Sequence, residues 1–482
     1  MKIKPFAIID VGSNTVRLVI YNSICRSPLI IYNERTKCEL GKGLFFTKKL
    51  NPESIIKANF VIKRFVFLSR EMDAEICIVA TAAIRDAKDG EEFVKSLTKE
   101  IGVDITILSG KEEAELSARG VLSYFSETDG LIGDLGGGSL ELINSKNNNL
   151  INTVTLPYGT LRYGSEIELN NEFINNLANS INKLEWLELI NNRTFFAVGG
   201  SWRALAKLHI EMSNYSVPVV QNYTIQFEEC LKLCKFLSRL SKSSLDKIKI
   251  ISKQRLKNIP FSALVMENIL LKAKPSKIIF STYALREGLV FQKLTEKEKS
   301  KESLESSVIT IMKYENISYE GYEEIYNWIE PIIKDYPEKE KRLIKALIIV
   351  SDIAFKVHKN FKGEYAYKKI LFSQIRGVDH FELSYLAISL CSRYRGDSII
   401  YKSNNLLQPQ EIKRANIIGS AIDLVKVLNC GNYKNLTFFK LSIKNNLLII
   451  NVKKEKKYLI NSVVEKRVRN LCYFLKYNHR IN

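Results

Sequence analysis

The chain has 482 residues, of which 46% are hydrophobic and 26% are charged, and its formal net charge is +20. This length is sufficient for about three domains, and the composition is typical of a water-soluble globular protein. No apolar run approaches the ~20 residues that span a bilayer, and the chain enters a strand without a signal-peptide segment. We therefore expect a cytoplasmic protein with no membrane partner.

The excess of positive charge does not identify a partner by itself. Lysine, asparagine and isoleucine are abundant along the whole chain, as they are when nucleotide composition biases a proteome. Basicity thus only weakly favours a polyanionic ligand, and we expect no nucleic-acid partner. The eight cysteines include no C-x-x-C pair, and the four histidines lack the spacing of a metal-ligand set. A histidine-based metal phosphohydrolase site is therefore excluded.

Two hairpins of similar pattern are predicted, one near the N-terminus and one around residue 137. Apolar residues flank residues 10–15 (DVGSNT) in the first and residues 133–141 (GDLGGGSLE) in the second. Glycines weaken a strand, but they let the backbone approach a ligand closely, and their N–H groups can hold phosphate oxygens. The repeat predicts an internal duplication in which both turns face a shared cleft.

The segment between the hairpins is predicted to alternate helices and strands. A helix from Pro52 to about Met72 would bury one side, formed by Ile55, Ile56, Phe60, Ile62 and Val66. A buried strand over residues 75–80 then leads into a helix N-terminus that carries Arg85, where anions are favoured.

A capping box begins the next predicted helix, which follows a strand over residues 104–108 and continues to about Ser126. Ser109 would be the N-cap, and Glu112 would reach back to its backbone N–H. This assignment separates two neighbouring acids. Glu112 has a structural role, whereas Glu113 is left free to point into the cleft.

The second half is predicted to follow the same alternation. A helix over residues 171–190 precedes a strand over 194–197 and a third Gly/Ser turn over 198–202. A strand over 277–283 leads into a helix that packs back on the first half. The charged run 295–302 is predicted as a linker, and the remainder as mostly helical, with strand-like pieces at 438–441 and 447–452.

The clustered residues indicate a type of chemistry. The predicted cleft brings together acids, a cation and phosphate-binding turns, and no Cys-His or Ser-His pair suggests a covalent nucleophile. Attack of water on a phosphoryl group fits this set, with one carboxylate as the base. Backbone N–H groups, Arg85 and Mg²⁺ would offset the charge on the transferred phosphoryl group.

Four motifs together resemble those of the exopolyphosphatase and guanosine pentaphosphate phosphohydrolase (Ppx/GppA) family. They are D-x-G-S-N at 10–14, TAAIRDA at 81–87, SGKEEA at 109–114 and D-x-GGGS-x-E at 134–141. The resemblance covers residues 5–292 and implies an α/β, duplicated actin-like (ribonuclease-H-like) ATPase fold with two domains flanking a cleft. Residues 1–127 and 128–300 would form these domains. Residues 301–482 resemble a helical His-Asp domain without its metal ligands.

The resemblance also implies roles for individual residues. Glu113 would be the base, Glu141 a second catalytic or Mg²⁺-organising acid, and Asp10 and Asp134 would hold Mg²⁺ through its waters. Leu140 departs from the family, which often has threonine there. The remaining residues would bind phosphate: Ser13, Asn14, Arg85, Gly136, Gly137, Gly138, Ser139, Gly200 and Ser201.

The substrate stays open at this stage. Hydrolysis of inorganic polyphosphate from its ends is the first hypothesis, and conversion of guanosine pentaphosphate (pppGpp) to the tetraphosphate is the second. An actin-fold kinase or ATPase, a polyphosphate:ADP phosphotransferase and an inactive sensor module are the alternatives. The resemblance further implies a homodimer, and Mn²⁺ in place of Mg²⁺ and stimulation by K⁺ are left open.

Overall fold

The structure is a computed structural model that describes residues 4–125, 128–163, 170–395 and 405–482. The chain divides into two compact units, Met1–Lys301 and Glu302–Asn482. Residues 126 and 127, where the sequence analysis ends a helix and a domain, lie outside the described residues. The boundary at 127/128 therefore stays a prediction.

The first sheet is built around the N-terminal hairpin, which the sequence predicts. Its strand order is β3-β2-β1-β4-β5, with β1 antiparallel to β2 and parallel to β4. Apolar alternation and β-branched residues favour these strands, and β1 is buried along almost its whole length. The strands are β1 Phe6–Val11, β2 Thr15–Tyr21, β3 Ile30–Lys37, β4 Glu75–Ala80 and β5 Ile105–Ile107.

The second sheet repeats this topology and adds one strand. Its order is β8-β7-β6-β9-β11-β10, with β6 antiparallel to β7 and parallel to β9. The predicted duplication is confirmed, because β6 to β9 and β11 take the places of β1 to β5. The strands are β6 Gly130–Leu135, β7 Leu140–Lys146, β8 Asn149–Leu156, β9 Thr194–Val198, β10 Tyr223–Gln226 and β11 Lys277–Phe280.

Helices follow the strands of both sheets. The predicted helix over 171–190 is shorter than expected, because residues 185–190 form a 3₁₀ helix. The helices of this unit are α1 Leu44–Thr47, α2 Pro52–Glu71, α3 Ala82–Asp86, α4 Gly90–Ile101, α5 Gly110–Tyr124, α6 Thr160–Tyr163, α7 Asn171–Asn182, α8 Gly200–Met212, α9 Phe227–Leu237, α10 Lys242–Leu245, α11 Lys253–Leu256, α12 Ile259–Ala273, α13 Leu285–Gln292 and α14 Glu296–Lys299.

Helices α5 and α13 cross with their backbones in contact. A Cβ atom at Gly288 of α13 would lie 1.9 Å from the carbonyl oxygen of Leu116, and one at Gly120 of α5 would lie 1.9 Å from that of Ala284. Only glycine permits this approach. Helix α13 therefore packs directly on α5, and these two helices flank the cleft.

The predicted buried side of α2 is partly wrong. Ile62 and Val66 are buried as expected, together with Ala58 and Phe65. Ile56 and Phe60, however, are 59% and 73% exposed. The buried residues follow a 3.6-residue period that places Ala58 and Phe65 inward, and this rotates Ile56 and Phe60 away from the sheet.

The second unit is mostly helical, as predicted. Its helices are α15 Ser303–Tyr314, α16 Tyr322–Ile333, α17 Glu338–Ile349, α18 Lys362–Leu371, α19 His380–Arg395, α20 Pro409–Asn429 and α21 Ser462–Leu475. The two strand-like pieces are confirmed as β12 Phe439–Lys444 and β13 Leu447–Val452, and a third strand, β14 Asn478–Ile481, completes their sheet. Across the described parts of both units, no helix has the length and apolarity needed to cross a bilayer.

Candidate active site

A cavity of about 370 Å³ lies where the two hairpin turns and helices α5, α8 and α13 meet. The two turns contact one another, since a Cβ at Gly137 would lie 3.4 Å from that of Ser13. The turns therefore face a shared cleft, as the sequence predicts. Residues from separated parts of the first unit line the cavity, among them Asp10, Asn14, Glu113, Asp134, Gly136, Gly137, Gly200, Ser201 and Arg286.

Glu113 occupies the first turn of α5 and points toward Arg85. The capping box is present, because Glu112 accepts the N–H of Ser109 at 2.8 Å and Ser109 accepts the N–H of Glu112 at 3.2 Å. Glu113 Oε2 accepts a hydrogen bond from Arg85 Nη1 at 2.8 Å. Burial raises the pKa of Glu113 to about 7, although Arg85 opposes the shift and Asp134 and Asp10 reinforce it. The group is therefore poised to exchange a proton near neutral pH.

Two further acids, Asp134 and Glu141, are directly opposite each other on β6 and β7. Asp134 accepts a hydrogen bond from the hydroxyl of Ser117 at 2.7 Å. Glu141 is only 1% exposed, and its Oε1 has no hydrogen-bond partner within the described residues. Burial raises the pKa of both carboxyl groups, and Glu113 and Asp134 raise that of Glu141 further. Repulsion among the acids on this side of the cleft therefore favours the protonated form of Glu141.

Asp10 is paired with a cation that the sequence analysis gave no role. Its Oδ2 accepts a hydrogen bond from Arg286 Nη1 of α13 at 2.9 Å. Asp10, Asp134 and Glu141 do not form a direct ligand set. Among the residues that the structure describes, no group of three or more His, Cys, Asp or Glu side chains is placed to hold a metal ion.

Basic side chains line the opposite part of the cleft. Arg17 on β2 and Arg35 on β3 are directly opposite each other, although like charges in such a pair are destabilising. A neighbouring cavity of about 300 Å³ is lined by Lys207 and by four arginines that also line the first cavity: Arg17, Arg35, Arg203 and Arg255. Burial and the charges of Arg286, Arg255 and Arg17 together lower the pKa of Arg203 to about 10. Such mutually repelling cations suit a ligand with several negative charges.

The predicted phosphate ligands are distributed over two places. Asn14, Gly136, Gly137, Gly200 and Ser201 line the 370 Å³ cavity. The last two begin helix α8, after Gly199 at a φ of 109°, and the N-terminus of a 13-residue helix favours anions.

Ser13 and Gly138 lie behind these residues. A Cβ at Gly138 would lie 2.7 Å from Cβ of Ala82 and 3.2 Å from Oγ of Ser13, so close packing of the turns accounts for this glycine. Ser139 is buried and lowers the pKa of Glu141 through a hydrogen bond. The phosphate-binding role of these three residues stays a prediction.

The sequence predicts no role for five residues of the cleft: Arg17, Arg35, Arg203, Arg255 and Ser117. One signal was available: Arg17 interrupts the apolar strand Thr15–Tyr21 on the face that it shares with Asp10, its partner on β1. The others come from elements far apart in sequence, and each alone resembles an ordinary surface residue.

Comparisons with known proteins agree with this architecture. A model described as the Ppx/GppA phosphatase family matches residues 19–297, and one described as the C-terminal region of exopolyphosphatase matches residues 331–471. Exopolyphosphatase 1 of Mycobacterium tuberculosis is 25% identical over 318 residues, which cover 63% of this chain and 92% of that protein. Retrograde regulation protein 2 of Saccharomyces cerevisiae is 25% identical over 81% of this chain and 72% of its own length.

Solved structures show the same fold. An exopolyphosphatase from Cytophaga hutchinsonii is 22% identical, with a TM-score of 0.54 over 60% of this chain and 97% of its own. A Ppx/GppA protein from Aquifex aeolicus is 23% identical, with a TM-score of 0.52 over the same shares of the two chains. The first unit therefore has the duplicated actin-like ATPase fold.

Proposed function

Because this chain belongs to the Ppx/GppA phosphatase family, we propose that it is an exopolyphosphatase. It hydrolyses the terminal phosphate of inorganic polyphosphate and releases orthophosphate. The observation that carries this proposal is Glu113, a buried carboxyl group with a pKa of about 7 that opens onto a cavity lined by arginines. A base of this pKa is half ionised near neutral pH, where it accepts a proton efficiently.

The proposed reaction is a direct displacement by water. Glu113 takes a proton from the water while its oxygen attacks the terminal phosphorus, and the bond from that phosphorus to the bridging oxygen breaks. The shortened chain leaves with the bridging oxygen and its electron pair, and the proton on Glu113 returns to solvent. Arg85, the N–H group of Gly137 and the start of helix α8 offset charge on the transferred phosphoryl group.

Asp134 and Glu141 are suited to hold a divalent cation such as Mg²⁺. Burial raises the pKa of both Asp134 and Glu141, the charge of Asp134 raises that of Glu141 further, and one oxygen of Glu141 is without a partner in the described residues. Mg²⁺ is usually held by one or two carboxylates, waters and substrate phosphates, which agrees with the absence of a three-ligand set among these residues. When bound, the cation would neutralise phosphate charge, with Asp10 acting only through water.

The basic side of the cleft favours polyphosphate over pppGpp. Basic side chains line the second cavity, and four of them also line the first: Arg17, Arg35, Arg203 and Arg255, with Lys207 in the second cavity alone. A chain that is charged at every unit would contact all of them, whereas a nucleoside would place an uncharged base and ribose there. The described residues that line this second cavity include no aromatic side chain on which a base could stack.

The test is release of orthophosphate with Mg²⁺ from long-chain polyphosphate, pppGpp and ATP at equal concentrations of terminal phosphate. We expect polyphosphate to give the highest kcat/KM. Glu113→Gln should lower kcat by about 10²–10⁴-fold and leave polyphosphate binding largely intact, because the variant removes a base and keeps the phosphate contacts. Glu112→Gln, a change at the neighbouring capping residue, is the matched control and should stay within a few-fold of the unmodified protein.

Each other result has a defined meaning. A preference for pppGpp would replace the substrate in this proposal, and release from none of the three would contradict hydrolysis. A Glu113→Gln variant with full activity would show that another group is the base.

A further inference from the structure

Arg286 enters the cleft from a helix that is fixed in position. It occupies the first turn of α13, whose backbone is in contact with that of α5, the helix carrying Glu113 and Ser117. The side chain is 13% exposed, so its position is set by the protein more than by solvent. Neither the family motifs nor the proposed chemistry gives this residue a role.

The contacts of Arg286 are divided between the cleft and the protein behind it. On the cleft side, Nη1 donates to Asp10 Oδ2 at 2.9 Å, while the buried Nε has no partner within the described residues. Behind it, Glu287 accepts the N–H of Ala284 at 3.0 Å and the hydroxyl of Tyr21 at 2.9 Å.

The charges around Arg286 keep it ionised. Burial alone would lower its pKa, but Glu287 and Asp10 raise it above the usual value. Burial would likewise raise the pKa of Glu287, yet Arg286 and the two hydrogen bonds lower it. Arg286 is therefore a permanent positive charge between Glu287 and Asp10.

We propose that Arg286 is a positioning residue that keeps Asp10 from ligating the divalent cation directly, so that the cation is placed by Asp134 and Glu141. This inference rests on the proposed function, because that function is what requires a divalent cation. Without Arg286, a free Asp10 carboxylate would join the other acids of the cleft. The cation would then bind more tightly, and at a position displaced toward Asp10, where it serves the terminal phosphate poorly.

Loss of Arg286 should therefore have two opposite effects. The divalent cation should bind more tightly, and the rate of catalysis should fall. A residue with only a structural role would weaken both, or would change neither.

The experiment measures Mn²⁺ binding to the full chain in the absence of polyphosphate, by the EPR signal of free Mn²⁺, beside kcat for polyphosphate with Mg²⁺. Arg286→Gln should tighten Mn²⁺ binding on the order of tenfold, because one positive charge is removed next to the acids. It should also lower kcat at least about tenfold by misplacing the cation. Tyr21→Phe, which removes the hydrogen bond from the Tyr21 hydroxyl to Glu287, should leave Mn²⁺ affinity unchanged.

Two further variants separate charge from folding. Arg286→Lys keeps the charge and should keep Mn²⁺ affinity within about twofold of the unmodified protein. The double variant Asp10→Asn with Arg286→Gln removes the whole ion pair, which proteins tolerate better than loss of one partner. It should return Mn²⁺ affinity to within about threefold of the unmodified protein.

Other outcomes overturn the inference. Unchanged or weaker Mn²⁺ binding in Arg286→Gln would do so, and so would a large loss of affinity in the double variant, which would identify Asp10 as a direct ligand. Because Mn²⁺ binding is measured without substrate, a protein that does not hydrolyse polyphosphate would contradict the proposed function and leave this test intact.

Discussion

The guanidinium group of Arg85 contacts Glu113 and is also the proposed ligand of the terminal phosphate. In the structure Arg85 Nη1 donates to Glu113, and in the proposed function the same group binds the terminal phosphate. Arg85 opposes the rise in the pKa of Glu113. When the N–H donors of Arg85 bind phosphate instead, Arg85 no longer lowers the pKa of Glu113, and Glu113 becomes more basic. In the proposed reaction, binding of the substrate would thus strengthen the base.

The pH dependence of activity follows from the pKa of Glu113. The base works as a carboxylate, and its pKa of about 7 means that it is protonated at lower pH. We expect kcat/KM to rise about tenfold per pH unit below 7 and to level off above it. A pH series of initial rates with saturating Mg²⁺ measures this. A plateau that extended down to pH 5 would contradict the assignment of Glu113 as the base.

Local hydrogen bonding made part of the site predictable. The roles of Glu112 and Glu113 follow from a spacing of three residues, and the capping box confirms the first of them. Local hydrogen bonding does not predict the cluster of Arg17, Arg35 and Arg203. These residues lie close together only in the folded chain, where β2, β3 and α8 meet. The turn glycines were ambiguous for a physical reason, since phosphate binding and close backbone packing both require glycine.

At the scale of elements, the crossing of α5 and α13 places the helix that carries Glu113 against a helix near the end of the first unit. The contact is between backbones, so no side chain can adjust to relieve a clash. The sequence predicted that the last helix returns to the first half, but not the closeness of the approach. Helical periodicity reports which face is apolar and does not report interaxial distance.

Gly288→Ala tests this crossing. The added Cβ would lie 1.9 Å from the carbonyl oxygen of Leu116, so α13 must move away from α5. We expect a loss of about 2 kcal/mol or more in the free energy of unfolding, together with a fall in kcat, because Glu113 moves with α5. Urea unfolding and initial rates measure both. Gln292→Ala, at an exposed position of the same helix, should change neither, and full stability of Gly288→Ala would contradict the packing.

At the scale of the whole molecule, the described residues that line the cleft belong to the first unit. The mycobacterial relative is matched over 92% of its length by 63% of this chain. Proteins of about the size of the first unit thus carry the name exopolyphosphatase. The second unit adds further lysines, and the mostly helical character of its sequence was predictable from apolar spacing.

Truncation after Lys301 separates the two contributions. We expect residues 1–301 to unfold cooperatively and to cleave short polyphosphate at near-normal kcat, because this unit contains the cleft. KM for long chains should rise about tenfold or more, since the lysines of the second unit are lost. Circular dichroism and kinetics against chains of defined length measure this. Equal losses on short and long chains would remove any role of the second unit in binding substrate.

The repeated sheet topology allows equivalent positions of the two halves to be compared, and one pair of them differs in charge. Asp10 and Asp134 occupy equivalent positions, each the penultimate residue of its strand, and their partners across the hairpins are therefore equivalent as well. Those partners are Arg17 in one half and Glu141 in the other. A single pair of pseudosymmetric positions thus carries opposite charges in the two halves, so that one hairpin pairs its aspartate with a cation and the other pairs it with a second acid.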